Sequence, residues 1–117
     1  MTSLRNNPDI KALFKAAEAR HLTEDELRQY LRLAPEEEAR VGAAREVAAA
    51  ESGVVQATVG EIFQIYPYAQ NHFAAPDKCS RDVAYVSVYA THAMLLRDPA
   101  WFNDKLLLWL RTILQAF

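Results

Sequence analysis

The densest chemistry in the sequence lies at Lys78-Cys79-Ser80-Arg81-Asp82, with Tyr85 close behind. A thiol beside positive charge and near a helix start is favoured as thiolate, so Cys79 could add to an electrophilic group. Arg81 could hold a ligand carboxylate through two parallel hydrogen bonds, and Lys78 could hold another as a point charge. Asp82 could accept hydrogen bonds from N–H donors. Cys79, Asp82 and Tyr85 follow at steps of three, so one helix face can present all of them. The same residues also suit a solvated helix start with an intrahelical salt bridge and an inert thiol. Spacing alone leaves both readings open.

Other combinations are weaker. His21, His72, Cys79 and His92 include no Cys-x-x-Cys or His-x-x-x-His spacing, whereas zinc needs three or four convergent ligands. On one continuous helix Cys79 and His92 stand ~20 Å apart at 1.5 Å per residue, so only His72 could serve Cys79 as a base. With no base placed beside the thiol, the chain is not expected to be an enzyme. A single cysteine excludes an internal disulfide. Lys+Arg 13 against Asp+Glu 15 lacks the basic excess that nucleic-acid binding needs. No stretch approaches the ~20 apolar residues of a membrane span, and MTSLRNNPD has no hydrophobic signal core, so a soluble, intracellular protein is expected.

The 117 residues, 51% of them hydrophobic, suit one domain with a real core. Three glycines are few for many tight turns, and the Ala/Glu-rich middle favours helix. The expected fold class is all-α. Asn7-Pro8-Asp9 predicts a helix start, followed by the stripe Ile10, Leu13, Phe14 and Ala17 and a stop near Arg20-His21. Thr23 and Glu26 have the capping-box form, and Leu27, Tyr30 and Leu31 form the apolar face of a short second helix. From Pro35 to about Ile65 the chain reads as one long helix or two. Its apolar side is Val41, Ala44, Ala48, Val55, Val59, Ile62 and Phe63, and Ser52-Gly53 is the expected place of a bend or break. Glu36-Glu37-Glu38 reads as a solvated helix start matched to the dipole.

Tyr66 to about Asp77 reads as a loop whose rings, Tyr66, Tyr68, His72 and Phe73, suit packing on the core better than covering a planar ligand. The next helix is expected from Lys78 to Arg97, with Val83, Val86, Tyr89 and Ala90 on its apolar side and Met94 beyond. Asp98-Pro99 ends it. A last helix, about Ala100 to Ala116, carries Trp101, Phe102, Leu106, Leu107, Leu108, Trp109, Leu110, Ile113 and Leu114, with Phe117 behind. Apolar on nearly every side, it is expected either at the centre of the fold or against another chain.

The stretch DKCSRDVAY, residues 77–85, resembles the chromophore-attachment motif of the phycobiliproteins, the linear-tetrapyrrole antenna proteins. It is most similar to phycocyanin-type α subunits, where Lys-Cys-x-Arg-Asp is followed by an aromatic three residues after the Asp. Asp98-Pro99 with Trp101 to Leu110, Phe63 to Tyr68 (FQIYPY) and Ala17 to Thr23 resemble further family landmarks in the same order. The resemblance implies a globin-like fold in a single domain, 1–117, with an N-terminal helical hairpin (8–33) ahead of a core (35–117). Because the sequence ends at Phe117, that core is expected to be incomplete, lacking the family's last helices. Two more departures are Val86, where a second aromatic is common, and a short loop before Cys79 without glycines.

The resemblance also implies a phycocyanobilin-type bilin joined by a thioether to Cys79. Arg81 and Lys78 would pair with its propionates, Asp82 would accept from its inner pyrrole nitrogens, and Tyr85 would pack against it. The implied setting is a homo- or hetero-oligomer with another phycobiliprotein-like subunit, a bilin lyase for loading, and a cytoplasmic place at the thylakoid surface through the phycobilisome. The function implied is light harvesting. A second reading from a different class is a non-pigmented helical interaction or regulatory protein of the phycobilisome.

Overall fold

A computed structural model describes residues 3–68 and 75–115. Asn7 lies in extended backbone, and its side-chain oxygen accepts from the N–H groups of Asp9 (2.9 Å) and Ile10 (3.3 Å). That cap starts α1 (Pro8–Ala16), which buries Ile10 and Phe14. The helix ends short of the expected stop near Arg20. Residues 17–20 form a turn instead, because Ala17 is buried and the Arg20 side chain reaches forward to Glu26 (2.7 Å) and the His21 carbonyl (3.1 Å). The second helix, α2 (Glu24–Leu33), opens with both bonds of the capping box: Thr23 N–H to Glu26 at 2.8 Å, and Glu26 N–H to Thr23 Oγ1 at 3.2 Å. Buried Tyr30 donates its hydroxyl to the Leu95 carbonyl (2.5 Å), and burial pushes the phenol up to about 12.

After a 3₁₀ turn at Pro35–Glu37, α3 (Glu38–Ile65) runs 28 residues as one helix, with no break at Ser52-Gly53. A glycine in a helix interior costs only about 1 kcal/mol, which a long, packed helix absorbs. Val41, Ala44, Val55 and Val59 are buried as expected, but Ala48 is exposed. The acidic triplet departs more sharply. Glu37 is only 3% exposed, not solvated, and its carboxylate is shared by Arg40 (2.9 Å) and Arg97.

The fourth helix, α4 (Ala75–Leu96), begins ahead of Lys78, with Pro76 second in the helix and Asp77 in its first turn. Its buried side is Val88, Thr91, His92, Ala93, Leu95 and Leu96, whereas Val86 and Ala90, expected inside, are exposed. Polar types masked the true stripe: Thr91 satisfies its hydroxyl on the Ser87 carbonyl (2.9 Å), and His92 reaches the Arg20 carbonyl (2.8 Å).

At the end of α4, Arg97 adopts φ 53°. Its N–H bonds to Met94 O (3.2 Å), and the N–H of Asp98 bonds to Ala93 O (3.0 Å), the pairing of a Schellman turn. Asp98 then caps α5 (Pro99–Gln115) through Ala100 N–H (3.1 Å), while its other oxygen accepts from Ser3 and Arg5 (3.0 Å each).

The core joins α1, α2, the first half of α3, the second half of α4 and Trp101. Trp101 is gripped by two cations, Arg5 at 5.5 Å and Lys105 at 4.8 Å from its ring centre. The later half of α3 and the earlier half of α4 carry less buried surface, which draws the molecule out to 48 × 29 × 23 Å. The last helix is inside at Trp101, whereas Leu107 is 64% exposed and Leu108 is exposed beside it. Expectations for His72, Phe73 and Phe117, and for the side chains of Trp109, Leu110, Ile113 and Leu114, lie outside the described residues.

Candidate functional site

All five candidate residues, Lys78, Cys79, Arg81, Asp82 and Tyr85, stand on the uninterrupted α4. Cys79 is half-buried, Lys78 and Arg81 are exposed, and Asp82 and Tyr85 are intermediate. Because α4 starts at Ala75, Cys79 lies a full turn into the helix rather than at its first positions. The favourable field of a helix start falls off within that turn, so the cations beside Cys79 are left as its main electrostatic neighbours.

Arg81 and Asp82 pair with each other, through Nε at 3.2 Å and Nη2 at 3.1 Å. Both contacts fall on Oδ1, and Oδ2 takes none among the described residues. This is the intrahelical salt bridge that the sequence left open. On a surface this exposed such a pair is worth ~0–1 kcal/mol, so either member is released readily to a better partner.

Beyond Asp82 the helix carries two stacked rings. Tyr85 and Tyr89 have centroids 6.1 Å apart and planes inclined by 24°. Tyr89, counted at the sequence level only as part of an apolar face, belongs to the stripe Lys78, Asp82, Tyr85, Tyr89 at steps of four, three and four, a spacing that was available to read. Its hydroxyl is shifted up by burial, then by Tyr85 and Glu18.

Of the rings expected to pack on the core, the two among the described residues do not. Tyr66 and Tyr68 are 51% and 67% exposed and meet only edge to face, 6.1 Å apart, close before α4 in the chain. A short aromatic segment without a buried surface to cover it leaves both rings at the surface.

The histidines are engaged elsewhere. His21 pairs with Glu51 (2.7 Å), and His92 is fully buried against Phe14 at 5.1 Å. A carbonyl only accepts, so Nε2 of His92 carries the proton it donates to Arg20 O, and burial pushes the ring down to about 4. Hollows open elsewhere among the described residues. One of 310 Å³ lies between His21, Leu27, Ala44 and Leu95, and one of 580 Å³ between Arg40, Met94, Arg97 and Phe102. Neither takes a wall from residues 78–85. Among the described residues no helix is long and apolar enough to cross a membrane.

A family model described as "Phycobilisome protein" matches residues 14–117. No curated protein and no solved structure matches the chain.

Proposed function

The chain belongs to the phycobilisome protein family and has its all-α, globin-like fold; on that premise we propose that it carries a linear tetrapyrrole joined by a thioether to Cys79. The observation that carries the reading is the placement of one thiol, two cations, a carboxylate with an uncommitted oxygen and an aromatic ring within the first turns of one unbroken helix. The donor set fits the group: Cys79 for the covalent link, Arg81 and Lys78 for two propionates, Oδ2 of Asp82 for the pyrrole N–H groups, and Tyr85 for a ring face.

Bound there, a bilin supplies absorption of visible light and the transfer of excitation. The residues hold it. Arg81 exchanges Oδ1 of Asp82 for a propionate, at the small cost of an exposed pair. Asp82, relieved of that partner, favours a protonated pigment through its charge. Such a protein is a pigment carrier with no turnover. The same reading makes residues 1–117 one domain, with 8–33 as a pairing hairpin. It places the protein in an oligomer with itself or a related subunit at the phycobilisome, loaded by a bilin lyase.

Co-expression with phycocyanobilin synthesis and a lyase tests this. The expected result is a band that stays coloured and zinc-fluorescent on a denaturing gel, and that a Cys79→Ala variant loses. A colourless wild-type band beside coloured related subunits overturns it.

One observation favours the second reading, a non-pigmented interaction protein. Leu107 and Leu108, adjacent on α5, are both largely exposed. Neighbouring exposed leucines offer a partner an apolar surface to cover.

A further inference from the structure

The departure at Val86 leaves the site with one ring fewer than the motif it resembles, and the structure shows Val86 exposed, turned away from the buried side of α4. One turn beyond Tyr85, however, Tyr89 stacks on it in an offset geometry that aromatic pairs favour. Lys78, Asp82, Tyr85 and Tyr89 make a single straight stripe, ~16 Å long at 1.5 Å per residue. Across from the far end of the stripe, Lys105 of α5 pairs with Glu18 at 2.5 Å.

We propose that Tyr89 is a specificity-determining residue of the pigment site: with Tyr85 it forms a two-ring platform that binds the face of an extended conjugated ligand and holds it flat, in place of an aromatic at position 86. The proposal rests on the bilin reading above and adds a residue to it. Two nearly parallel rings one turn apart give a planar π-system more contact than one, and the i, i+4 contact limits the rotation of Tyr85. A pigment held flat at both ends loses less excitation to twisting. Stacking is indifferent to the phenol hydroxyl, so Phe should serve at position 89 where Leu does not.

The experiment uses the full chain in two backgrounds. In the Cys79→Ala background, free phycocyanobilin is titrated by absorbance. Tyr89→Leu is expected to weaken binding roughly two- to tenfold, the factor that one aromatic pair supplies, and Tyr89→Phe to restore it. With Cys79 intact, the covalently loaded Tyr89→Leu protein is expected to show a lower fluorescence yield and a shorter-wavelength band than wild type. Tyr89→Met covers a leucine variant that fails to fold, because an unbranched thioether fills the same gap without a ring. A Tyr89→Leu or Tyr89→Met protein with wild-type affinity and spectrum overturns the platform while leaving attachment at Cys79 standing. A Tyr89→Phe variant as defective as Tyr89→Leu overturns it too, since the hydroxyl would then matter rather than the ring. If the wild type takes no pigment, covalently or by titration, the bilin reading and the platform fall together.

Discussion

His92, on α4, donates from Nε2 to the carbonyl of Arg20, 2.8 Å away in the turn between α1 and α2. The ring packs edge to face on Phe14 and has no exposure, so it is neutral in the fold. It joins two segments 72 residues apart in the chain.

The burial of His92 and the Arg20–Glu26 pair predict a pH response in two stages. The folded pKa of His92 is about 4, below its ordinary 6.5, so the unfolded chain takes a proton first as pH falls. The stability is fully present above 6.5 and is lost between 6.5 and 4, by roughly 3 kcal/mol at most. Glu26 is held down to about 2, chiefly by its hydrogen bond from Arg20, so its contribution is present above 4.5 and lost from there toward 2. Urea midpoints measured from pH 7.5 to 3 should show both stages, and His92→Leu should flatten the first. A midpoint independent of pH between 6.5 and 4.5 contradicts the assignment.

Arg97 separates two opposed effects. Its positive φ favours glycine, while its guanidinium covers buried Glu37. Arg97→Ala loses the ion pair and keeps the strain; Arg97→Gly loses the pair and sheds the strain. The glycine variant should therefore be the more stable of the two by about 1 kcal/mol, with both below wild type, as read by thermal unfolding.

Gly53 lies mid-helix on an exposed stretch of α3, and a Cβ built there meets nothing within 4 Å. Gly53→Ala should raise stability by about 0.5–1 kcal/mol. An unchanged or lowered melting temperature would mean that α3 does bend there in solution.

Asp82→Asn removes the charge and keeps the shape. On the proposed reading, pigment still attaches at Cys79, but its long-wavelength band weakens because a protonated tetrapyrrole is no longer favoured. Absorption spectra of the two loaded proteins at equal bilin content decide it, and identical bands would count against the role given to Asp82.

Trp101 and Leu107 should behave as opposites. Trp101 is in the core, so Trp101→Lys should unfold the chain, at a cost of about 3–5 kcal/mol, rather than merely separate subunits. Leu107→Lys should leave the melting temperature nearly unchanged and reduce association in sedimentation velocity. An unaltered sedimentation profile would remove α5 as a contact surface.

Local signals were the readable part of the chain. Asn7, the Thr23–Glu26 box and Asp98-Pro99 act over a few residues, and each sets a helix boundary that the structure keeps. Long-range pairing was not readable. Glu37 looks like one acid of a solvated triplet until Arg97, 60 positions on, folds over it. His92 and Thr91 look polar until a carbonyl from another segment, or from the preceding turn, takes their hydrogens. At the candidate site, residue types and spacing were visible from Lys78 to Tyr85. The stacking of Tyr89 was not, because an apolar assignment to its face hid the stripe it completes.

Asp98 serves as helix cap and as anchor for Ser3 and Arg5 with a single carboxylate. Its position 95 residues after Ser3 has a consequence for biosynthesis. On the ribosome, the first residues emerge long before the acceptor that fastens them has been translated. Ser3 and Arg5 therefore stay unanchored until the turn between α4 and α5 has been made.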